Sequence, residues 1–164
     1  MYIPFEQLPD QSRVWVYQAN RRLMANEMEQ IRSFLMNEMN AWAAHGAPLN
    51  ASFEIRFGQV VIVAVNEEVN QASGCSIDAS TRWFKSLGEL LQVDFFDRQI
   101  ASIQGDQISL IPITSIKEFI LNADLSEEDF IIPPQTSDLG QYRNQWLQMV
   151  KESWLKKYLV KSSV

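Results

Sequence analysis

The segment ASFEIRFGQVVIVAV, residues Ala51–Val65, predicts a β-hairpin and decides the fold class. Its first half, ASFEIRF, alternates apolar and polar side chains, as a half-buried strand does. Gly58-Gln59 then supplies a two-residue turn, with glycine where a type II′ turn needs positive φ. The returning strand, VVIVAV, does not alternate. We therefore expect it to be covered on both faces, near the centre of a sheet.

A strand and a helix are predicted before this hairpin, and a second helix after it. RVWVYQ, residues Arg13–Gln18, is rich in β-branched and aromatic side chains, which favour strands. In the first helix, Asn26 is the expected N-cap, Glu29 has the spacing of a capping box, and Gly46 is the expected end. In the second helix, Asp78 is the expected N-cap.

The rest of the chain predicts a second hairpin and further helices. QIASIQ and QISLIPI have strand composition and are joined at Gly105-Asp106. SIKEFIL is typical of a short helix. Thr136 or Ser137 is the expected N-cap of a long final helix that runs to about Leu159. The apolar residues that follow one another at helical spacing in this helix are Trp146, Val150, Trp154 and Tyr158.

The predicted order is therefore β-α-β-β-α-β, followed by one more strand and helices. This is the order of the ferredoxin-like fold, whose first and third strands lie in the middle of an antiparallel sheet. We predict an α+β protein with a ferredoxin-like core and a single domain over residues 1–164. Its βαββαββ core spans 12–113, and a helical C-terminal extension spans 114–164. The two helices should cover one face of the sheet, and the C-terminal helix or a partner chain the other.

Composition and charge narrow the function classes. The chain has 164 residues, of which 46% are hydrophobic and 21% charged, as expected of a folded single domain. A net charge of −6 disfavours nucleic acid as a partner, because phosphate contacts need an excess of cations. The N-terminus lacks a signal-peptide pattern, and the longest apolar run, Val60–Val65, is too short for a membrane span. A cytoplasmic location without membrane insertion is the expectation.

The expected topology brings the only cysteine and the only histidine together. His45 lies at the predicted end of the first helix and Cys75 just before the second, so both should lie at one rim of the sheet. Ser76, Asp78 and Arg82 should be close by. Cys75 would then act as nucleophile and His45 as base, while Arg82 or helix N–H groups hold an anion. The alternative, which we favour, is a small buried thiol and a histidine that complements a helix C-terminus.

Aromatic residues on the first strand have two interpretations. One interpretation is a pocket for a planar ligand, lined by Trp15, Tyr17, Trp42 and Trp83. The other is that these side chains pack in the core, which is the more common outcome for aromatic residues. If Trp15 and Tyr17 were exposed on the sheet face, they would favour nucleic-acid binding. The net charge of −6 argues against that partner. One cysteine and one histidine do not make a zinc site, and no phosphate-binding glycine motif occurs, so we expect neither metal nor cofactor.

Several stretches carry a resemblance to a known family: SRVWVYQANR, AWAAHGAPLNASFEIRF, SGCSIDASTR and VDFFDR, which span most of Ser12–Arg98. They resemble a family of short, uncharacterised bacterial proteins, some of which are labelled as ABC transporter ATPases. The resemblance implies a bacterial cytoplasmic protein. An ABC ATPase needs a P-loop that holds phosphates, and neither G-x-x-x-x-G-K-[ST] nor an LSGGQ-type segment occurs here. We therefore do not expect ATPase activity.

The sequence leaves two function classes open. The leading prediction is a non-catalytic binding or interaction module that forms a homodimer, through the sheet face or the C-terminal helix, or binds a protein partner. The alternative is a small thiol-dependent enzyme or redox sensor that uses Cys75 with His45.

Overall fold

The computed structural model of the protein describes residues 1–159. Its helices and strands alternate along the chain, and both main sheets are antiparallel. The predicted α+β class is confirmed. The elements are β1 (Arg13–Gln18), α1 (Ala25–Ala41), β2 (Ala43–Ala44), β3 (Ala47–Pro48), β4 (Asn50–Arg56), β5 (Val60–Asn66), α2 (Gly74–Leu91), β6 (Ile100–Gln104), β7 (Gln107–Ile111), α3 (Ile116–Leu121), β8 (Phe130–Ile131), α4 (Leu139–Gln145), β9 (Gln148–Met149) and α5 (Lys156–Leu159).

The chain divides into two compact units. The first unit consists of Met1–Asp97 together with Thr136–Asn144. Within the described residues, the second unit consists of Arg98–Gln135 together with 145–159. This division differs from the predicted core over 12–113 and extension over 114–164, because residues of the predicted extension belong to both units. No helix within residues 1–159 is both long and apolar enough to cross a membrane.

The sheet of the first unit has three strands in the order β1-β5-β4. Val60–Val65 are all buried, as predicted for a central strand. This is part of the ferredoxin-like order, but the strand needed on the other side of β1 lies in the second sheet, so the ferredoxin-like topology is not confirmed. The outer edge of β1 is occupied by other chain segments: Arg13 is bridged to Asp138 and Gln18 to Phe96.

The turn between β4 and β5 lies one residue earlier than predicted. Phe57 and Gly58 are its central residues, with φ of 55° and 58°, and the N–H of Gln59 donates to the carbonyl of Arg56 over 3.0 Å. Positive φ at both positions is the type I′ geometry rather than type II′. Gln59 is instead buried and donates through its side chain to the carbonyl of Ala19 over 3.0 Å, which keeps it out of the turn.

Both ends of α1 differ from the prediction. Met24 is the N-cap residue, and its N–H donates to the carboxylate of Glu27 over 2.8 Å, so Asn26 lies inside the helix. The helix ends at Ala41, before Gly46, because Trp42 is extended and leads into the small hairpin β2-β3. The chain reverses there at His45-Gly46, where φ is 51° and 81°.

Helices α1 and α2 pack against the same face of the β1-β5-β4 sheet, as expected. The buried residues of this interface are Ile31, Leu35 and Met39 of α1, Trp83, Phe84 and Leu87 of α2, and Val61, Val63 and Val65 of β5. Glu54 and Arg56 of β4 point to the other face of the sheet. Both bond to the hydroxyl of Tyr142 in α4, and Tyr142 also belongs to the first unit. The face that the sequence assigned to a C-terminal helix or a partner is therefore contacted by the short helix α4.

The second unit is built on a four-stranded sheet in the order β7-β6-β8-β9. The hairpin β6-β7 turns at Gly105-Asp106 as predicted, with a φ of 65° at Gly105. Its core consists of Ile100, Ile111, Ile116, Leu125, Ile131, Val150 and Leu155.

The predicted long final helix is wrong. The chain forms α4, the short strand β9, a single 3₁₀ turn and then α5. Val150, expected on a helix face, donates its N–H to the carbonyl of Asp129 over 2.9 Å and lies in the core of the second unit. Trp154 is 36% exposed and packs edge-to-face on Tyr158. These apolar residues therefore have the spacing of a helix stripe but lie in different elements with different surroundings.

Candidate functional site

Cys75 lies within the first turn of α2. The N-cap is Ser73, whose hydroxyl accepts the N–H of Ser76 over 3.2 Å, so the prediction that Asp78 caps this helix is wrong. Ser73 is favoured because its backbone is extended and its side chain reaches the free N–H groups of the first turn. Cys75 is exposed, so the favoured expectation of a small buried thiol is wrong; Asp78, one turn further on, is also exposed.

The end of α1 and the start of α2 lie together, as the topology predicted. The indole N–H of Trp42, the residue after α1, donates to the carbonyl of Ser76 over 2.9 Å. Its ring also packs edge-to-face on Trp83 with centroids 4.8 Å apart. His45 follows in the exposed turn of β2-β3, four residues after α1 ends.

The side chains at this rim are mostly engaged in local structure. Ser76 is buried and its hydroxyl donates to the carbonyl of Ser73 over 2.8 Å. Among residues 1–159, the exposed side chains of His45, Cys75 and Arg82 form no hydrogen bond or ion pair with one another. The described part of the chain holds no group of three or more His, Cys, Asp and Glu residues placed to bind a metal ion. The pairing of Cys75 with His45 remains a prediction.

The two aromatic residues on β1 have different surroundings. Tyr17 is buried, its ring stacks on Phe84 with centroids 3.7 Å apart, and its hydroxyl pairs with Ser80 over 3.1 Å. Burial raises the pKa of Tyr17. Trp15 is only half-buried and has the guanidinium of Arg13 4.8 Å from its ring centre. Tyr17 is therefore a core residue, whereas Trp15 keeps part of its ring accessible.

A polar cluster that sequence reasoning missed lies on the other face of this sheet. The hydroxyl of Tyr142 donates to the carboxylate of Glu54 over 2.5 Å, and Arg56 donates to the same hydroxyl over 3.4 Å. Burial first, and then the Glu54 carboxylate, raise the pKa of Tyr142 well above its usual value. The hydroxyl therefore stays protonated and acts as a hydrogen-bond donor. Its role is to fasten α4 to β4.

A second feature missed by the sequence is the outer edge of β7. The carbonyl of Ala101 accepts the N–H of Ile132 over 3.0 Å, so it faces away from β7. Leu110 is directly opposite Ala101 in the β6-β7 register. In an antiparallel ladder, such a pair exchanges no hydrogen bonds, and bonded pairs alternate with unbonded ones. The backbone N–H and C=O of Leu110, and by parity those of Ile108, therefore point outward.

The edge of β7 is also uncharged and partly apolar. Ile108 and Leu110 share one face of the hairpin with Ile103, and all three side chains are only partly buried. Soluble proteins usually protect an edge strand with a charged side chain, a proline or a covering segment. Gln107–Ile111 contains neither charge nor proline, and among residues 1–159 no other backbone group bonds to the outward groups of Ile108 and Leu110.

Comparison with known proteins adds nothing to this geometry. No protein-family model, curated protein or solved structure matches the chain. The resemblance to short bacterial proteins stays a prediction, and two features of the structure bear on function: the rim that carries Cys75 and the edge of β7.

Proposed function

We propose that the protein is a non-catalytic cytoplasmic binding module that takes up an extended protein segment along the edge of β7. The observation that carries this proposal is the row of outward backbone groups on Ile108 and Leu110 beside an uncharged, partly exposed apolar face. A strand added to such an edge gains main-chain hydrogen bonds, and pockets for alternate side chains select its sequence.

The surroundings of the edge define the chemistry of the segment. Side chains that lie on the face of Ile108 and Leu110 meet aliphatic groups, so apolar residues fit there. The opposite face presents Gln107 and Ser109, which suit neutral polar residues. β7 offers no charged side chain to pair with a charged one, and an unpaired charge placed at the contact costs free energy. The bound segment is therefore extended, uncharged and alternating.

A labelled peptide tests this proposal. The probe is a fluorescein-labelled, N-acetylated peptide that alternates threonine and valine, and the readout is fluorescence anisotropy with the full chain kept dilute. We expect saturable binding that is lost in Leu110→Pro, because proline removes the outward N–H that a bound strand needs. Proline is tolerated at an edge position whose N–H faces outward, so the sheet itself should form.

The matched control is Leu121→Lys. Leu121 lies in α3 of the same unit and is 73% exposed, so this variant removes an exposed apolar side chain away from the edge. Binding should be unchanged. A full chain that neither binds the peptide nor associates with itself contradicts the proposed function.

A second candidate function is a thiol-dependent enzyme or redox sensor, and the position of Ser73 favours it. Because Ser73 rather than Asp78 caps α2, Cys75 lies in the first helical turn and is exposed. Free N–H groups at a helix N-terminus stabilise an anion such as a thiolate. In this scheme Cys75 is the nucleophile, His45 the base, and Arg82 holds an anionic group of the substrate.

Alkylation kinetics test the second candidate. Iodoacetamide should modify Cys75 faster in the folded protein than in urea, and His45→Ala should remove the acceleration. Glu89→Gln serves as the control, since Glu89 is exposed near the other end of α2, away from Cys75. A folded-state rate equal to the rate in urea excludes the thiol function.

A further inference from the structure

We infer that the segment taken up by the edge of β7 is β7 of a second copy of this chain, in an antiparallel pair whose twofold axis passes through Ser109. This inference rests on the proposed function, because it names the partner of the same edge. Three observations support it: the register of the β6-β7 hairpin, the absence of charged side chains along β7, and the fact that the other strand edges are shorter, charged or bridged by other segments.

The register makes the strand complementary to itself. With the axis at Ser109, Ile108 of one copy is opposite Leu110 of the other. These are the residues whose backbone groups point outward, so each pair exchanges both of its N–H to C=O hydrogen bonds. Ser109 meets Ser109 as an unbonded pair, and Gln107 meets Ile111. Every outward group of Ile108 and Leu110 thereby gains a partner.

The side chains follow the same symmetry. Ile108 and Leu110 of the two copies lie side by side on one face, where they extend the aliphatic row that begins at Ala101 and Ile103. Direct cross-strand contacts between aliphatic side chains stabilise a strand pair. The outer flanks of Ile108 and Leu110 are therefore covered by the second copy, and the shared face of the extended sheet stays open.

Charge favours a second copy over a strand of unrelated sequence. A residue near a twofold axis lies close to its own copy, so any charge there would face a like charge. Gln107–Ile111 carries none, and Asp106, at the turn, would lie opposite Pro112 of the other copy rather than opposite itself. The net charge of −6 repels the two chains elsewhere, so added salt should strengthen the association.

Other edges in the two sheets are less suitable. The outer edge of β4 is bridged by Tyr2 at Ala51, and β4 carries Glu54 and Arg56. β9 consists of Gln148–Met149 alone. β7 is thus the longest uncharged edge in the described part of the chain. A pair of five-residue strands buries less than the roughly 1,200–2,000 Å² of stable complexes, so the dimer should be weak and concentration-dependent.

Sedimentation velocity of the full chain over a range of concentrations tests the dimer. We expect a reversible shift from monomer to dimer that is lost in Leu110→Lys and in Ile108→Lys, since a charge on the strand blocks edge pairing. Leu121→Lys adds the same charge outside the strand and should leave the dimer intact. Circular dichroism of each variant reports whether it is folded.

Disulfide trapping tests the register. In a background of Cys75→Ser, Ser109→Cys should form a covalent dimer with oxidised glutathione as oxidant, because opposed unbonded residues are about 4.5 Å apart between Cα atoms, within disulfide range. Gln107→Cys is the matched control. In this register it lies opposite Ile111 of the other copy, so it should not cross-link.

The outcomes separate the inference from the proposed function. If the chain is monomeric at every concentration but binds the threonine-valine peptide, the dimer inference is wrong and the proposed binding function stands. A monomer that does not bind the peptide overturns both. A dimer that persists in Leu110→Lys and Ile108→Lys, or that is trapped through Gln107→Cys and not Ser109→Cys, excludes this edge and register. If the lysine variants are unfolded, the trapping result decides.

Discussion

The hydroxyl of Tyr142 donates to the carboxylate of Glu54 over 2.5 Å, although the two residues are 88 positions apart in the sequence. Tyr142 is buried. Burial is the main cause that raises the pKa of its hydroxyl, and the Glu54 carboxylate raises it further. The bond joins α4 to β4 across the face of the sheet that α1 and α2 do not cover.

We expect Tyr142→Phe to lower the free energy of unfolding by about 1–3 kcal/mol, because it leaves a half-buried carboxylate without its donor. Urea denaturation followed by circular dichroism measures the loss. Tyr2→Phe is the control, since within residues 1–159 the hydroxyl of Tyr2 forms no hydrogen bond. Equal stability of Tyr142→Phe and wild type would show that the bond contributes nothing.

Glu27 should make stability depend on acid pH. Hydrogen bonds from the guanidinium of Arg21, the largest effect, and from the N–H of Met24 hold the pKa of Glu27 below its usual value. Because the folded-state pKa is the lower one, its contribution to stability is complete above the unfolded value of about 4.3. That contribution is lost as the pH falls through the folded-state pKa.

Glu27→Gln should therefore reduce stability at neutral pH and flatten its decline in acid, as measured by urea denaturation at a series of pH values. Glu29→Gln is the matched control. Glu29 pairs with Arg32 on the same helix, but its side chain is 71% exposed, so its loss should change stability little. A decline in acid that is as steep in Glu27→Gln as in wild type would refute this assignment.

Trp42→Phe tests the contact between the end of α1 and the start of α2. The substitution removes the indole N–H that donates to the carbonyl of Ser76, and the loss of this hydrogen bond should cost about 0.5–1.5 kcal/mol. Amide hydrogen exchange should rise in the first turn of α2. Trp154→Phe is the control, because Trp154 is partly exposed. Unchanged exchange in this turn would argue against the contact.

Two glycines of α2 should respond differently to replacement by alanine. A Cβ at Gly88 would lie 2.6 Å from the carbonyl oxygen of Val93, so Gly88→Ala forces backbone to move and should cost about 1–3 kcal/mol. A Cβ at Gly74 meets nothing within 4 Å, so Gly74→Ala should be neutral or stabilise the helix by up to about 1 kcal/mol. Thermal melts distinguish the two. Similar melting temperatures would contradict the close approach at Gly88.

Local patterns predicted the elements whose burial follows from their own sequence. Arg13–Gln18 forms a strand with the predicted bounds, and Val60–Val65 is the buried central strand because its uniform apolar character allows no exposed face. Helix ends were less predictable. Asn26 and Asp78 have the side chains of N-caps, but Met24 and Ser73 hold those positions because the preceding chain reaches extended backbone there.

The candidate sites depend on contacts between residues far apart in the sequence, which the local spacing of residues does not predict. The meeting of Trp42 and Ser76 followed from the order of helices and strands. The contact of Tyr142 with Glu54 did not, because the chain from Ser137 to Asp138 occupies the edge of β1 where a fourth strand was expected. With that edge occupied, the second hairpin belongs to another sheet, and the open side of β7 could be recognised only there.

The assignment of Thr136–Asn144 to the first unit has a consequence for synthesis on the ribosome. A nascent chain that ends at Gln135 already contains β1, β4 and β5, yet it lacks the helix whose tyrosine bonds to Glu54. The earliest sheet to be translated must therefore wait, with one surface incomplete, until the intervening segment has emerged. Completion of this sheet therefore depends on Thr136–Asn144, which emerge only after the whole of Arg98–Gln135.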